Sequence, residues 1–289
     1  MMSSTENFSG TDRQQPVFPE LTEEVIDRMA GAGNQRLRQV MGALVSHLHA
    51  FVRDTQLTQE EWRSAIDFLT RAGQICSDSR QEFILLSDIL GVSMLVDAVN
   101  HESGAGITDS TVLGPFYSGR QRELALGESI LLRDEPGSPL KVRGHVRDPS
   151  GDAIPRASIE VWQTAGNQLY DVQDETQPPG HLRATFKTAS DGGFLFQTVL
   201  PVSYPIPDDG PAGQLLALLG RHPNRPAHIH FLISAPGYRT LVTHIFLAGD
   251  EFLNSDAVFG VKPSLIVAPR RNGAGDLEIE YNFGLASLR

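Results

Sequence analysis

Cysteine is nearly absent from this chain: Cys76 is the only one in 289 residues. A lone cysteine excludes an internal disulfide framework and fits a reducing, cytoplasmic setting. Cys76 lies in a helical stretch with no His or Asn near it in sequence, which favours a structural thiol over a nucleophile. An excess of positive charge is missing too. A net charge of −11 argues against nucleic acid as a partner, because phosphate binding wants a basic surface. No apolar run approaches the roughly 18 residues of a membrane span. Residues 1–19 are polar and lack the basic-then-apolar order of a secretory signal, so the cytoplasm is the expected location. Low-complexity tracts and internal repeats are also lacking. What is left is ordinary for a globular protein, 40% hydrophobic and 20% charged, in a length that suits one large domain or two smaller ones.

Two halves differ in period. Residues 1–115 read as helical. Thr22-Glu23-Glu24 opens a short helix, and Leu37, Val40, Met41, Leu44, Val45, Leu48 and Val52 recur at three- and four-residue spacing as one apolar stripe. Thr58-x-x-Glu61 is a capping box with Trp62, Ile66 and Leu69 following on one face; Ser79-x-x-Glu82 is a second. The latter leads into Phe83 to Val96, apolar nearly all round, which predicts burial. From Leu140 the period becomes two. Leu140, Val142, Gly144 and Val146 alternate with polar residues, as does Ser158 to Trp162. Hairpins are expected around Ser190–Gly193, Ala235–Tyr238 and Asn272–Asp276, the last joining Leu265–Val267 to Leu277–Phe283. The pattern predicts a mixed, mainly β fold: a helical N-terminal domain over 1–115, suited to dimerisation, and an antiparallel β-sandwich over 116–289.

The densest chemical signal is Arg225-Pro226-Ala227-His228-Ile229-His230-Phe231. In a strand His228 and His230 project from one face, with Ile229 and Phe231 on the other. Two adjacent imidazoles are natural metal ligands; the alternative is two polar positions on a half-solvated strand. A metal needs more partners. His244, in the next strand, is one candidate, and His228, His230 and His244 together would suit zinc or copper. A cupin-type site would want a Glu a few residues after the pair, where Leu232 to Ala235 stand instead. Tyrosine offers another answer. The chain has five, and Tyr204 sits in the proline-stiffened loop Leu200–Pro207, while Tyr170 follows the strand ending at Trp162. Two phenolates and two imidazoles would suit a hard trivalent ion such as Fe(3+), which lowers a phenol pKa far below its usual value of about 10.

The segment Leu219–Phe231 resembles the iron-binding signature of the intradiol ring-cleavage dioxygenases. Val199-Leu200-Pro201, the stretch from Gly151 to Gln163 and Leu113-Gly114-Pro115-Phe116-Tyr117 are similar to the same family, and the likeness runs from about Leu21 to Phe283. It implies one Fe(3+) per subunit bound by Tyr170, Tyr204, His228 and His230, with a hydroxide as fifth ligand. It implies a small aromatic diol or triol and O2 as substrates. Tyr204 would leave the metal and take one substrate proton before the ring is opened. Arg225 would steady negative charge building on the ring. The family is commonly homodimeric through its helical part, with a lipid there. One departure stands out: His244 occupies a position where catechol enzymes carry Gln, which suggests a role beside the iron, as a neighbour of its ligands or as an extra ligand.

Substrate choice is expected to lie in the helical half. Leu85 and Asp88 share a helix face, and an Asp on an apolar face needs a hydrogen-bond partner. A substrate hydroxyl would be one. With Val112-Leu113-Gly114-Pro115-Phe116 and Tyr204-Pro205-Ile206-Pro207, this resembles the hydroxyquinol-cleaving branch of the family more than plain catechol enzymes. The expected pocket is Leu85, Asp88, Val112, Leu113, Gly114, Pro115, Phe116, Ile206, Pro207 and Arg225. Rival readings are a catechol or chlorocatechol dioxygenase and a non-catalytic transthyretin-like binding module.

Overall fold

The computed structural model describes residues 20–77, 80–101, 104–119 and 121–288. The chain divides into two compact units, one ending at Thr70 and one starting at Arg71. The first holds α1 (Glu20–Asp27), α2 (Gln35–Thr55) and most of α3 (Gln59–Ile75). Asn34 caps α2, its Oδ1 accepting from Leu37 N at 2.9 Å. The Thr58–Glu61 box forms as expected: Thr58 N donates to Glu61 Oε2 at 2.8 Å and Glu61 N to Thr58 Oγ1 at 3.2 Å. The corresponding box at Ser79 lies outside the described residues. Along the α2 stripe Leu37, Val40, Leu44, Leu48 and Val52 are exposed in the single chain, as are Trp62, Ile66 and Leu69 of α3.

The second unit begins with the end of α3, where Cys76 Sγ donates to Ala72 O, a structural use of the thiol. The apolar run from Phe83 to Val96 is not one buried helix. It breaks into α4 (Glu82–Ile89) and α5 (Val92–Asn100) at Gly91, whose φ of 72° is left-handed and turns the chain. Leu85, Asp88, Ile89 and Met94 are buried, but Phe83, Ile84, Leu90, Val92, Leu95 and Val96 are exposed. One face packs inward beside α6 (Pro211–Leu218); the opposite apolar face is exposed among the described residues.

The sandwich has two sheets. One is built on β1 (Pro139–Arg147), flanked by β4 (Gly193–Val199), β11 (Leu277–Glu280) and β12 (Phe283–Gly284), with β10 (Arg270–Arg271) at the edge. The other runs β3 (Arg183–Lys187), β2 (Ser158–Trp162), β7 (His228–Ser234), β8 (Leu241–Leu247) and β9 (Ile266–Val267). A two-stranded ribbon joins β5 (Tyr204–Pro205) to β6 (Asn224–Arg225). Central pairs are antiparallel, while β1 pairs β11 and β12, and β8 pairs β9, in parallel. Inward residues Val142, Phe196, Ile159, Phe186, Ile229, Phe231 and Ile245 form the core between the sheets.

Two expected hairpins resolve differently. The Ser190–Gly193 turn is a corner between sheets, because β3 pairs β2 and β4 pairs β1. Its flanking strands meet face to face, with Phe186 stacked on Phe196 at 5.4 Å, rather than edge to edge. The Asn272–Asp276 turn is a hairpin, but it joins β10, not Leu265–Val267, to β11. The Ala235–Tyr238 turn makes the expected β7–β8 hairpin, with His230 opposite His244.

Candidate metal centre

Strand alternation puts Ile229, Phe231 and Ile233 of β7 into the sandwich core and His228 and His230 on the sheet's outer face. That outer face carries a rung of four directly paired residues: Arg183 on β3, Trp162 on β2, His230 on β7 and His244 on β8. Trp162 lies flat on the His230 ring, centroids 4.6 Å apart at 15°, and so fixes that imidazole. His228 is fixed by its Nδ1–H, which donates to Pro226 O at 2.6 Å. That bond sets the neutral tautomer and leaves the Nε2 lone pair free.

Two tyrosines meet these nitrogens from outside the sheet. Tyr170 follows β2 on a turn with Gln168 at φ 70°, its backbone N–H held by Gln173. Tyr204 opens the short ribbon, directly paired with Arg225. Asp250 ties the ribbon to β7, its Oδ2 accepting from Ser203 Oγ at 2.5 Å and Ala227 N at 2.9 Å. The donors converge. Tyr170 Oη stands 2.9 Å from His230 Nε2 and 3.1 Å from Tyr204 Oη; Tyr204 Oη stands 3.4 Å from His228 Nε2; the two Nε2 atoms are 3.1 Å apart. All four side chains are buried. Burial pushes both phenol pKa values up, for Tyr204 against the pull of Arg225, and pushes both imidazole pKa values well down. Four neutral donors facing one point are what a cation would organise.

Arg225 closes one side. Its Nη1 lies 3.3 Å from His228 Nε2, and its Nε donates to Asp256 Oδ1 at 3.1 Å. Burial opposes this charge, and the Asp256 carboxylate together with the Tyr204 and Tyr170 phenol oxygens more than offsets it, so the Arg225 pKa moves up. A second buried pair, Arg183 Nε to Asp171 Oδ1 at 2.6 Å, sits behind Tyr170, with the guanidinium carbon 5.7 Å from that ring.

His244 is also fully buried. The ligand nitrogens of His228, His230 and His244 lie within 4.8 Å of one another, and the His244 ring is 4.1 Å from that of His230. Its Nδ1 is hydrogen-bonded to Thr111 Oγ1.

Beside the donors, Leu85, Ile89, Val112, Ile206, Ala257 and Val258 form a separate apolar cluster. Asp88 is buried at its α4 face, its pKa raised by burial and drawn back by Ser93 and Arg225. Phe116 stacks on Tyr170 at 4.7 Å. Gly114, at φ 78°, lies so close that a Cβ would meet His230 Cε1 at 3.4 Å. Pro115 and Pro207 are half-buried, whereas Leu113 is exposed and outside the cluster.

A family model described as Catechol dioxygenase N terminus matches residues 34–108, and one described as Dioxygenase matches residues 112–287. The hydroxyquinol 1,2-dioxygenase of Rhizobium sp. is 50% identical over 245 residues, 84% of this chain and 83% of the relative. This chain belongs to the intradiol dioxygenase family. The dioxygenase is also 48% identical to the 6-chlorohydroxyquinol 1,2-dioxygenase of Cupriavidus pinatubonensis, over 92% of this chain and 96% of the relative. Among solved structures, the hydroxyquinol 1,2-dioxygenase of Pseudomonas putida DLL-E4 superposes with a TM-score of 0.87 at 45% identity, covering 93% of this chain and 98% of that one.

Several residues of the dioxygenase site escape sequence reasoning. Arg183, Thr111, Asp256 and Val258 carry no motif of their own. Trp162 lies in the Gly151–Gln163 stretch that resembles the family, but its place against His230 comes from a long-range strand pairing.

Proposed function

We propose that this dioxygenase holds one Fe(3+) per subunit on Tyr170, Tyr204, His228 and His230, and cleaves hydroxyquinol (benzene-1,2,4-triol) with O2 to 3-hydroxy-cis,cis-muconate, which tautomerises to maleylacetate. The convergence of two phenol oxygens with two imidazole nitrogens carries this reading. Buried phenols become favourable anions only beside a strong cation, and two phenolates offset two of the three charges of a ferric ion. When bound, the ion supplies the charge that acidifies the substrate hydroxyls and the electron acceptor that lets the ring react with O2.

The chain's own residues do the rest. Tyr204 Oη takes a proton from an incoming hydroxyl. Arg225 Nη1 steadies negative charge on the ring. Asp88 accepts a hydrogen bond from the third hydroxyl. At 3% exposure water scarcely reaches that carboxylate, so a third hydroxyl adds a partner to the one Ser93 supplies, which favours a triol over a diol. Leu85, Val112, Gly114, Phe116 and Ile206 exclude water around it. His244, engaged by Thr111, supports the ligands rather than joining them. The names of the relatives support the same substrate.

Residues 1–115 form a dimerisation domain in this reading and 116–289 the catalytic domain. The exposed apolar residues Leu37, Leu44, Leu48 and Phe51 suit a partner subunit, with a lipid chain between the two. No helix among the described residues is long and apolar enough to cross a membrane, and a cytoplasmic location accords with the single cysteine.

The three-histidine cluster favours one rival, a zinc or copper centre without tyrosinate. Metal analysis with a visible spectrum decides between them. A phenolate–iron protein is coloured, with iron near one per subunit, and a colourless zinc protein overturns the iron reading. Oxygen uptake with hydroxyquinol, catechol and chlorocatechols tests the substrate. Hydroxyquinol is expected to turn over fastest, and Asp88→Ala to lower its advantage over catechol by about tenfold or more. A faster reaction with catechol overturns the substrate assignment alone.

A further inference from the structure

A guanidinium that steadies charge on a substrate must be aimed, and Arg225 sits on a long flexible stem. Its N–H groups are shared between Asp256 on one side and the donor cluster, His228 and Tyr204, on the other. Nε lies 3.1 Å from Asp256 Oδ1, Nη2 lies 3.4 Å from Asp256 Oδ2, and Nη1 alone points to the donor cluster, 3.3 Å from His228 Nε2. The Arg225 and Asp256 side chains are 3% and 2% exposed, so water does not compete for either. The carboxylate is itself fixed. Gly260 N donates to Oδ2 at 2.8 Å and Val258 N to Oδ1 at 3.3 Å. Ala257 N donates to Asn224 O at 3.1 Å, which ties the Asp256 loop to the residue before Arg225.

Gly260 leaves room for this arrangement. A Cβ there would stand 3.0 Å from Arg225 Nη2 and 3.1 Å from Asp256 Oδ2. Its backbone is not in the left-handed region, so the glycine answers to space and not to conformation.

We propose that Asp256 is a positioning residue for ring cleavage: it grips Arg225 by Nε and Nη2 so that Nη1 alone faces the substrate. This rests on the role given to Arg225 above. Asp256 touches neither the donor cluster's oxygens nor its nitrogens in this arrangement; it acts through the guanidinium.

The test is a double-mutant cycle on the iron-loaded full chain, with Asp256→Asn, Arg225→Gln and the pair, each checked for its visible band, iron content and thermal midpoint. Asp256→Asn is expected to keep the band and the iron and to lower kcat about 10- to 100-fold, with KM changed less than about threefold. In the Arg225→Gln background the same change is expected to cost less than about twofold, since the group it aims is gone. Gly260→Ala, which crowds the pair without removing a charge, is expected to lower kcat in the same direction; it carries the test if Asp256→Asn does not fold. The proposal is overturned if Asp256→Asn keeps wild-type kcat, if its cost is undiminished without Arg225, or if Gly260→Ala is the only foldable variant and is fully active. A wild type without the visible band or without ring cleavage breaks the parent reading, and the role of Asp256 falls with it. A coloured, active wild type matched by the variants breaks the role of Asp256 alone.

Discussion

The two faces of β7 are equally buried and chemically opposite. Ile229, Phe231 and Ile233 on the inner face are 0% exposed, and His228 and His230 on the outer face are 2% and 1% exposed. Burying the first set stabilises the fold by about 1.5–3 kcal/mol per side chain. Burying the second set strips water from polar rings and holds their pKa values well below the usual imidazole range. Burial therefore measures stability on one face and marks a site on the other. The outer face is held in place by specific pairs (Trp162 on His230, Pro226 O on His228 Nδ1), where the inner face relies on close packing.

Substitutions on the two faces should separate accordingly. The largest effect is expected at the donors. Tyr170→Phe removes the oxygen 2.9 Å from His230 Nε2, and should abolish the visible band and cut turnover by more than about 100-fold, since outer partners of metal ligands alone cost 10- to 100-fold. Next is Arg183→Leu. It removes the counterion of Asp171, only 6% exposed in its side chain and left with the Gly180 N–H, and should cost about 3–5 kcal/mol in denaturant unfolding. A loss below about 1 kcal/mol would mean that this pair is not held as an ion pair. On the inner face, Ile233→Val should cost about 0.5–1.5 kcal/mol and leave the visible band unmoved; a shifted band would show that the two faces are coupled.

The smallest effect concerns pH. Burial raises the Asp88 pKa above the 3.8 of a free side chain, so the folded state binds that proton more tightly than the unfolded chain does. The stability this contributes is full below 3.8 and is lost as pH rises through the folded value. Asp88→Asn should thus melt higher than wild type at neutral pH, with the gap closing as pH falls toward 4. A gap that widens on acidification would reverse the sign and place Asp88 in a pair that favours its charge.

Much of the site was legible because it is local. His228, His230, Arg225 and their alternation with Ile229 and Phe231 lie within seven residues, and period two is a local property. Tyr204 was marked by its prolines. The hairpin at Ser190–Gly193 was misread for the complementary reason: a turn sequence specifies that the chain reverses, not which sheet the next strand joins. The run from Phe83 to Val96 was misread because its apolar character says that it favours cover, not that both faces receive it; one face is exposed among the described residues. Asp256 was invisible, since a single loop carboxylate gains meaning only from the arginine 31 positions away.

The amino-acid order alone determined a helical block before a two-layer β region, a histidine pair on one strand face, and a charge and cysteine content that disfavour nucleic acid and disulfides. Those follow from periodicity and composition, which need no partner in space. Only the tertiary structure decided that Tyr170 and Tyr204 come within hydrogen-bond distance of each other and of the two imidazoles, that His244 stands opposite His230, and that Arg225 is gripped by Asp256. Each of these joins side chains from separate loops and strands across the sheet. Their spacing is set by strand register and loop packing, and no local preference encodes it.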